Sequence, residues 1–125
     1  MKKANLNNAI FEDCNLYNAN LNSAKMMGCK FIRTNMRYIH LNGAKLNNAS
    51  LVDVDLQNAD LRSACFAGAN LYKTNFKNAE LVGADFRYAE NRSLATWRGA
   101  KYSILTKGIT DKFAMEHGMI NVDVN

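Results

Sequence analysis

A large apolar residue recurs at every fifth position of this chain, and that spacing restricts the possible folds more than any other feature. From residue 6 to residue 86, all seventeen positions of this series are Leu, Phe or Met; we call them the centre residues. An α-helix turns by ~100° per residue, so five residues rotate the chain by about 140° net, and the centre residues would spiral around the helix. A coiled coil repeats every ~3.5 residues and does not fit either. The period therefore excludes a helical rod.

A small residue lies two positions before each centre residue. Twelve of the eighteen small positions from 4 to 89 are Ala. The first and third residues of an extended segment point to the same side, so each small residue faces inward with its centre residue. The second residue after the centre is Asn, Gly, Asp or Ser at thirteen of seventeen positions, the exceptions being Arg33, Tyr38, Lys73 and Tyr88. These types favour tight turns, so each unit is predicted to be a short extended segment followed by a corner.

Residues twenty positions apart are unusually alike, as expected if four corners close a square coil and the coils stack. The centre residue is Leu at 21, 41, 61 and 81, and the non-alanine small residues Cys14, Thr34, Val54 and Thr74 fall in one column. Ile39 is too large for its small position, so we expect it to bulge its face or to meet thinner neighbours. A stacked coil of twenty residues is the prediction.

The tandem units in LNNASLVDVDLQNADLRSACFAGANLYKTNFKNAELVGADF resemble the pentapeptide-repeat family, and the resemblance covers residues 4–90. It implies an all-β fold, a right-handed quadrilateral parallel β-helix with backbone hydrogen bonds between coils. We expect residues 1–90 to form this β-helix, with core repeats at 4–90. Residues 91–125 should form an irregular last coil and a C-terminal cap with a short helix at about 110–118.

The two ends of the repeat are bounded by different kinds of sequence. Asn91 replaces the next expected Leu, after which the phase slips by one, and Ala95–Trp97 and Ala100–Tyr102 look like two degenerate units. A solenoid end exposes interior and backbone edge, so caps are needed. The C-terminal helix supplies one, whereas the repeats begin directly at residue 4 without a cap. Either the chain is a piece of a longer protein or its first coil pairs with another copy. We predict homodimerisation, through the first coil or through the C-terminal helix; the candidate residues are Leu6, Phe11, Leu16, Phe113 and Met115.

Charge and composition argue against several classes of function. The net charge is +5, but residues 4–90 carry nine basic and eight acidic residues, or +1. No signal peptide or membrane-spanning stretch is evident, and three cysteines without ligand spacing suggest a reduced, cytoplasmic protein. His40 and His117 have no neighbours at metal-ligand spacing. We expect no enzymatic activity, no cofactor, no metal, and no direct binding to nucleic acid or membrane.

The outward positions supply the candidate binding residues. Ile32, Val52 and Tyr72 lie twenty apart and should form an exposed apolar stripe, with Tyr17 and Tyr38 nearby. Asp13, Arg33, Asp53 and Lys73 alternate in sign and should form a cross-coil ladder. Residues just before the centres are basic in the first half, at Lys25, Lys30 and Lys45. They are acidic in the second half, giving a candidate acidic patch of Asp55, Asp60, Glu80, Asp85 and Glu90.

Two functions compete at this point, and a secreted effector or adaptor fragment is a third, weaker alternative. A rigid scaffold that presents flat faces to a protein partner needs only the regular rod and the stripe, and leaves the partner's identity open. The family resemblance implies the alternative, a DNA mimic that binds DNA gyrase and protects it from quinolones or toxins. Mimicry needs a strongly acidic surface to match the phosphates of a duplex, and the near-neutral body counts against it.

Overall fold

The coils stack at an interval of twenty residues. The computed structural model describes residues 3–123, and parallel backbone bridges join residues twenty apart, from Asn5 with Lys25 up to Asn70 with Glu90. We number the four faces by the residue that precedes each centre. Face 1 carries positions 5, 25, 45, 65 and 85, and face 2 carries positions 10, 30, 50, 70 and 90. Face 3 carries positions 15, 35, 55 and 75, and face 4 carries positions 20, 40, 60 and 80. The four-sided stacked coil predicted from the sequence is thus present.

Face 2 carries the longest regular sheet. It contains β1 (Ile10–Glu12), β2 (Lys30–Ile32) and β3 (Ser50–Val52), paired in parallel in the order β1-β2-β3. Phe11 pairs with Phe31, and Phe31 with Leu51. On the other faces of the repeat body the coils meet mainly through single-residue bridges, because each straight segment is short before the chain turns.

The interior is filled by the centre and small residues. Every centre residue from Leu21 to Phe86 has 0% exposure. Phe66 and Phe86 stack with ring centroids 5.0 Å apart, close to the ~4.8 Å separation of hydrogen-bonded strands. Ile39 is also fully buried, and its neighbour His40 keeps its bridges to Asn20 and Asp60. The oversized residue is therefore accommodated between the alanines at 19 and 59 without interrupting the face.

The corners have one backbone conformation whatever residue occupies them. All seventeen second residues after a centre have positive φ, including Arg33 at 47°, Tyr38 at 58°, Lys73 at 56° and Tyr88 at 63°. Asn and Asp adopt this left-handed region most easily among non-glycine residues, which explains their frequency at the corners. The position in the repeat therefore decides the positive φ, and Arg33, Tyr38, Lys73 and Tyr88 adopt it although these residue types disfavour it.

Asparagine or aspartate before the centre has a separate structural role. The Asn15 side-chain oxygen accepts a hydrogen bond from the Tyr17 N–H at 3.0 Å, and the Asn75 oxygen accepts one from the Lys77 N–H at 3.0 Å. Such Asx turns satisfy a backbone donor where the chain bends. The repeated Asn/Asp therefore contributes to coil formation.

Beyond residue 90 the register slips twice. Asn75 pairs with Thr96 at an offset of 21, and Asp85 pairs with Lys107 at an offset of 22. The first extra residue is taken up by Asn91, with φ 60°, and a 3₁₀ turn at Arg92–Leu94, as the phase slip in the sequence predicted. The second lies in the turn in which the Thr106 N–H bonds to the Ser103 carbonyl at 3.0 Å, and it was not predicted from the sequence.

The C-terminal segment returns to the coil after forming a helix. β4 (Lys101–Tyr102) pairs in parallel with β5 (Ile120–Asn121), and α1 (Asp111–Glu116) lies between them in sequence. The Thr110 hydroxyl oxygen caps α1 by accepting from the Phe113 N–H at 3.0 Å. Helix α1 falls within the predicted 110–118 and covers the last coil through Phe113.

Candidate functional site

An apolar column runs along the corner between faces 2 and 3. Ile32 and Val52 are half-buried partners in β2 and β3, and Tyr72, 38% exposed, continues the line. The Lys73 N–H bonds to the Leu94 carbonyl at 3.2 Å, which places Leu94, 54% exposed, after Tyr72. We call Ile32, Val52, Tyr72 and Leu94 the apolar column. Leu94 is not part of the predicted stripe, because the slip at Asn91 displaces it from the twenty-residue series.

Tyr17 and Tyr38 form a separate aromatic pair. Their ring centroids lie 5.6 Å apart with planes inclined by 60°, and the two residues are 56% and 47% exposed. They occupy the corner between faces 3 and 4, so face 3 separates them from the apolar column. The predicted binding residues therefore form two surfaces.

Only the first half of the predicted charge ladder forms ion pairs. Arg33 contacts Asp13 at 2.7 Å and also Glu12, which the sequence analysis did not include, at 3.0 Å. The hydrogen bond from the Arg33 guanidinium lowers the pKa of Asp13 below its usual range. Asp53 and Lys73, both within the part of the chain described, form no ion pair with a neighbour. The ladder is thus confined to the first two coils.

The five carboxylates of the predicted acidic patch are spread over all four faces, so they do not form one patch. Asp85 lies on face 1, Glu90 on face 2 and Asp55 on face 3, while Asp60 and Glu80 are bridge partners on face 4. Successive five-residue units of the coil lie on different faces, so carboxylates that are close in the sequence are not necessarily close on the surface. Only the Asp60–Glu80 pair stacks directly.

Most of these carboxylates have a cationic partner. Asp60 contacts Arg62 and Asp85 contacts Arg87, each at 2.8 Å, while Glu80 contacts Lys101 at 3.2 Å. Asp55 is 3.6 Å from Arg37. Hydrogen bonds from Arg62 and Arg87 lower the pKa of Asp60 and of Asp85 below the usual range. Glu90 alone among the five has no ion-pair partner within residues 3–123.

The residues predicted for self-association differ in how far they are covered. Leu6, Phe11 and Leu16 are only half-buried, although they pack on the core. Phe113 meets Trp97 edge-on, with centroids 5.7 Å apart, and is half-buried, whereas Met115 is 83% exposed. Phe113 therefore contributes to the cap, and Met115 is the more exposed residue of the helix.

A cavity of about 470 Å³ lies beside the cap. Tyr102, Asp111, Met115, Met119 and Asn121 line it. The Tyr102 hydroxyl donates a hydrogen bond to Asp111 at 2.8 Å, and burial, together with this hydrogen bond, raises the pKa of Tyr102. The single carboxylate is thus already engaged by the protein's own hydroxyl.

The cysteine and histidine side chains make structural contacts. Burial raises the pKa of the Cys29 thiol, which donates to the Leu6 carbonyl at 2.9 Å. Cys65 is half-buried on face 1, and His40 Nε2 lies 3.2 Å from the Asn18 side-chain oxygen. Within residues 3–123 no three His, Cys, Asp or Glu side chains converge as metal ligands. The same residues include no helix with the length and apolarity needed to cross a bilayer.

Two solved structures with TM-scores above 0.5, both of QnrB1, support the fold. The trypsin-treated form of QnrB1, a plasmid-mediated fluoroquinolone resistance protein, is 18% identical, with a TM-score of 0.55; the match covers 82% of this chain and 59% of that one. Full-length QnrB1 gives 17% identity, a TM-score of 0.53, and coverage of 95% and 65%. Another similar structure is HetL, a pentapeptide-repeat protein of the cyanobacterium Nostoc sp. strain PCC 7120 involved in heterocyst differentiation regulation. It is 22% identical, with a TM-score of 0.49, and the match covers 97% of this chain and 70% of that one. At such identities the likeness extends to the fold alone.

The family of the chain follows from comparison of its sequence with known families. A search of curated protein sequences gave no match. Residues 4–86 match the family described as the pentapeptide repeat region, which is more than half of the chain and coincides with the stacked coils. The regular four-sided coil and this match together show that the chain belongs to the pentapeptide-repeat family.

Proposed function

We propose that this protein is a non-enzymatic scaffold that binds a protein partner along the apolar column. The observation that carries the proposal is the alignment of Ile32, Val52, Tyr72 and Leu94 on one corner, with Tyr72 38% and Leu94 54% exposed. Contiguous exposed apolar surface is typical of protein interaction sites, whereas single exposed apolar residues are common everywhere. The sheet β1–β3 supports the column, so little order has to be gained on binding.

Site-specific photo-crosslinking tests this surface. Benzoylphenylalanine at position 52 should give a discrete crosslinked species in cells that naturally make the protein. Position 82 is the matched control, because Val82 is also half-buried and also comes directly after a centre residue, but on the corner between faces 4 and 1. Equal crosslinking at both positions, or none at position 52, would contradict the proposal.

The alternative function is gyrase binding by DNA mimicry. The likeness to QnrB1, whose name describes fluoroquinolone resistance, favours it. The charge distribution opposes it, since four of the five candidate carboxylates have cationic partners and mimicry of a duplex needs dense negative charge. A supercoiling assay with gyrase, with and without a fluoroquinolone, separates the two. We expect no effect at micromolar protein, and inhibition or drug protection would favour the mimic instead.

A further inference from the structure

The first coils carry a group of lysines that the protein does not neutralise. Lys25 and Lys45 are bridge partners on face 1, and both are exposed. Lys30, also exposed, lies in the second coil on face 2. None of the three forms an ion pair with any residue from 3 to 123. Like charges placed directly opposite in a sheet are destabilising, so this arrangement costs the fold stability.

No carboxylate within residues 3–123 forms an ion pair with these lysines, and Asp53, in the third coil on the corner after face 2, has no cationic partner among those residues either. Glu12 and Asp13, in the first coil, are both held by Arg33. On face 1 the first carboxylate is Asp85, which is two coils beyond Lys45 and contacts Arg87. The three lysines of the second and third coils are therefore left without an ion-pair partner among residues 3–123, and their side chains are exposed to an external partner.

Two exposed apolar side chains lie among these lysines. Ile10, 66% exposed, is the bridge partner of Lys30 in the neighbouring coil. Met27, 42% exposed, occupies the corner between Lys25 on face 1 and Lys30 on face 2. We call Lys25, Lys30, Lys45, Ile10 and Met27 the lysine cluster. Face 2 also bears the apolar column on its other edge, because Ile32 lies two residues after Lys30 in β2.

We propose that the lysine cluster binds an acidic segment of the protein partner, one in which aspartate or glutamate alternates with apolar side chains. This deepens the scaffold function proposed above and rests on it. Charge complementarity at a rim accelerates and orients association, and Ile10 and Met27 supply the apolar contact that a purely electrostatic surface lacks. Arginine and stacking aromatic side chains, which are preferred at nucleic-acid surfaces, are not part of this cluster, so an acidic polypeptide fits it better.

Binding of a labelled peptide made of aspartate, glutamate and leucine, monitored by fluorescence anisotropy, tests the proposal. The double variant Lys25→Glu, Lys45→Glu should bind at least about tenfold more weakly than the wild type, and the wild-type affinity should fall with salt. The variant Lys77→Glu, Lys112→Glu makes the same change in net charge at exposed lysines outside the cluster, and should bind within about twofold of the wild type. Met27→Ser should weaken binding of the leucine-containing peptide but leave that of polyglutamate unchanged.

Several outcomes would overturn the proposal. They are no binding of the peptide, an equal loss in both double variants, or tighter binding of oligothymidylate, which would indicate a nucleic-acid surface. A gain of binding to a lysine–leucine peptide by Lys25→Glu, Lys45→Glu would show that this variant is folded and that the charges at these positions select the ligand. If the peptide fails to bind while position 52 still gives its crosslink, the scaffold function is retained and the binding of an acidic segment by the lysine cluster is rejected.

Discussion

The two ends of the rod expose their interiors to different extents. In the first coil, Phe11 stacks on Phe31, with ring centroids 4.9 Å apart, yet remains half-buried. Trp97 lies in the last coil, and its exposure is only 1%. It stacks on Phe76 at 4.4 Å and is covered by Phe113. A coil therefore buries the interior face of its neighbour, but the last face needs a segment that leaves the repeat.

Truncating one interior aromatic residue at each end should give the largest effect and measure this difference directly. Trp97→Ala removes a side chain with contacts on both sides and should lower the free energy of unfolding by about 4 kcal/mol. Phe11→Ala removes a half-buried ring and should cost about half as much. Urea denaturation monitored by circular dichroism measures both.

The ratio of these two losses tests the difference between the ends. Equal losses would mean that the first coil is covered in solution, either by another copy or by another part of the chain. A small loss for Trp97→Ala would mean that the C-terminal segment contributes little to the fold.

The second prediction tests whether Phe113 of α1 covers Trp97, by comparison with Met115 on the same helix. Phe113→Ala should lower the free energy of unfolding by about 2 kcal/mol, because Phe113 packs on Trp97 and is only partly buried. It should also shift the tryptophan fluorescence to longer wavelength, and Trp97 is the one tryptophan of the sequence. Met115→Ala is the matched control on the same helix; with 83% exposure, it should leave stability and spectrum unchanged. Identical spectra for the two variants would show that Phe113 does not shield Trp97.

The third prediction concerns the first coil. Self-association through Leu6, Phe11 and Leu16 stays a prediction, and its basis is their partial exposure. Leu16→Glu should weaken dimerisation by about tenfold or more, equivalent to about 1.4 kcal/mol, as measured by sedimentation equilibrium. Tyr17→Glu, an outward-facing control in the same coil, should not. A wild-type chain that stays monomeric at all concentrations, with its first coil folded, would contradict the prediction.

The smallest effect should come from acid. The pKa of Asp85 and that of Asp13 are lowered by Arg87 and Arg33. Stability from these pairs is present above the unfolded-state pKa of about 4 and is lost as pH falls through the lower folded-state values. Arg87→Gln should reduce this acid-induced loss more than Arg33→Gln, because the Asp85 side chain is 15% exposed and that of Asp13 is 61% exposed. Urea midpoints near neutral pH and at about pH 2.5 measure it; an identical acid response in both variants would contradict the expected ranking.

The column of Cys14, Thr34, Val54 and Thr74 illustrates how much the sequence revealed. Its existence was evident from the twenty-residue period alone. The reason for two of its residues emerged from the coordinates: the hydroxyl of Thr74 donates to the Leu51 carbonyl of the preceding coil at 2.6 Å, and that of Thr34 to the Phe11 carbonyl at 3.1 Å. A periodic pattern identifies equivalent positions, but a hydrogen bond between coils depends on distances that the pattern does not contain.

The candidate site was predicted less completely than the fold. The twenty-residue period predicted the alignment of Ile32, Val52 and Tyr72. It did not predict Leu94, because the 3₁₀ turn at Arg92–Leu94 displaces this residue from the period. The acidic patch was wrong as a single surface, since successive units turn onto different faces. The pairing of Asp60 with Arg62 and of Asp85 with Arg87 was visible only as proximity in sequence.

The sequence by itself determined the repeating coil, its inward residues and the positions of its corners. These result from a strict five-residue period, because an identical local requirement at each unit leaves one way to stack them. The tertiary structure decided which charges are neutralised, which aromatic residues cover the last coil, and that Lys25, Lys30 and Lys45 lie near one another on faces 1 and 2. Those properties depend on contacts between residues brought together by the winding of the coil, and a local period carries no information about side-chain reach or the width of a face.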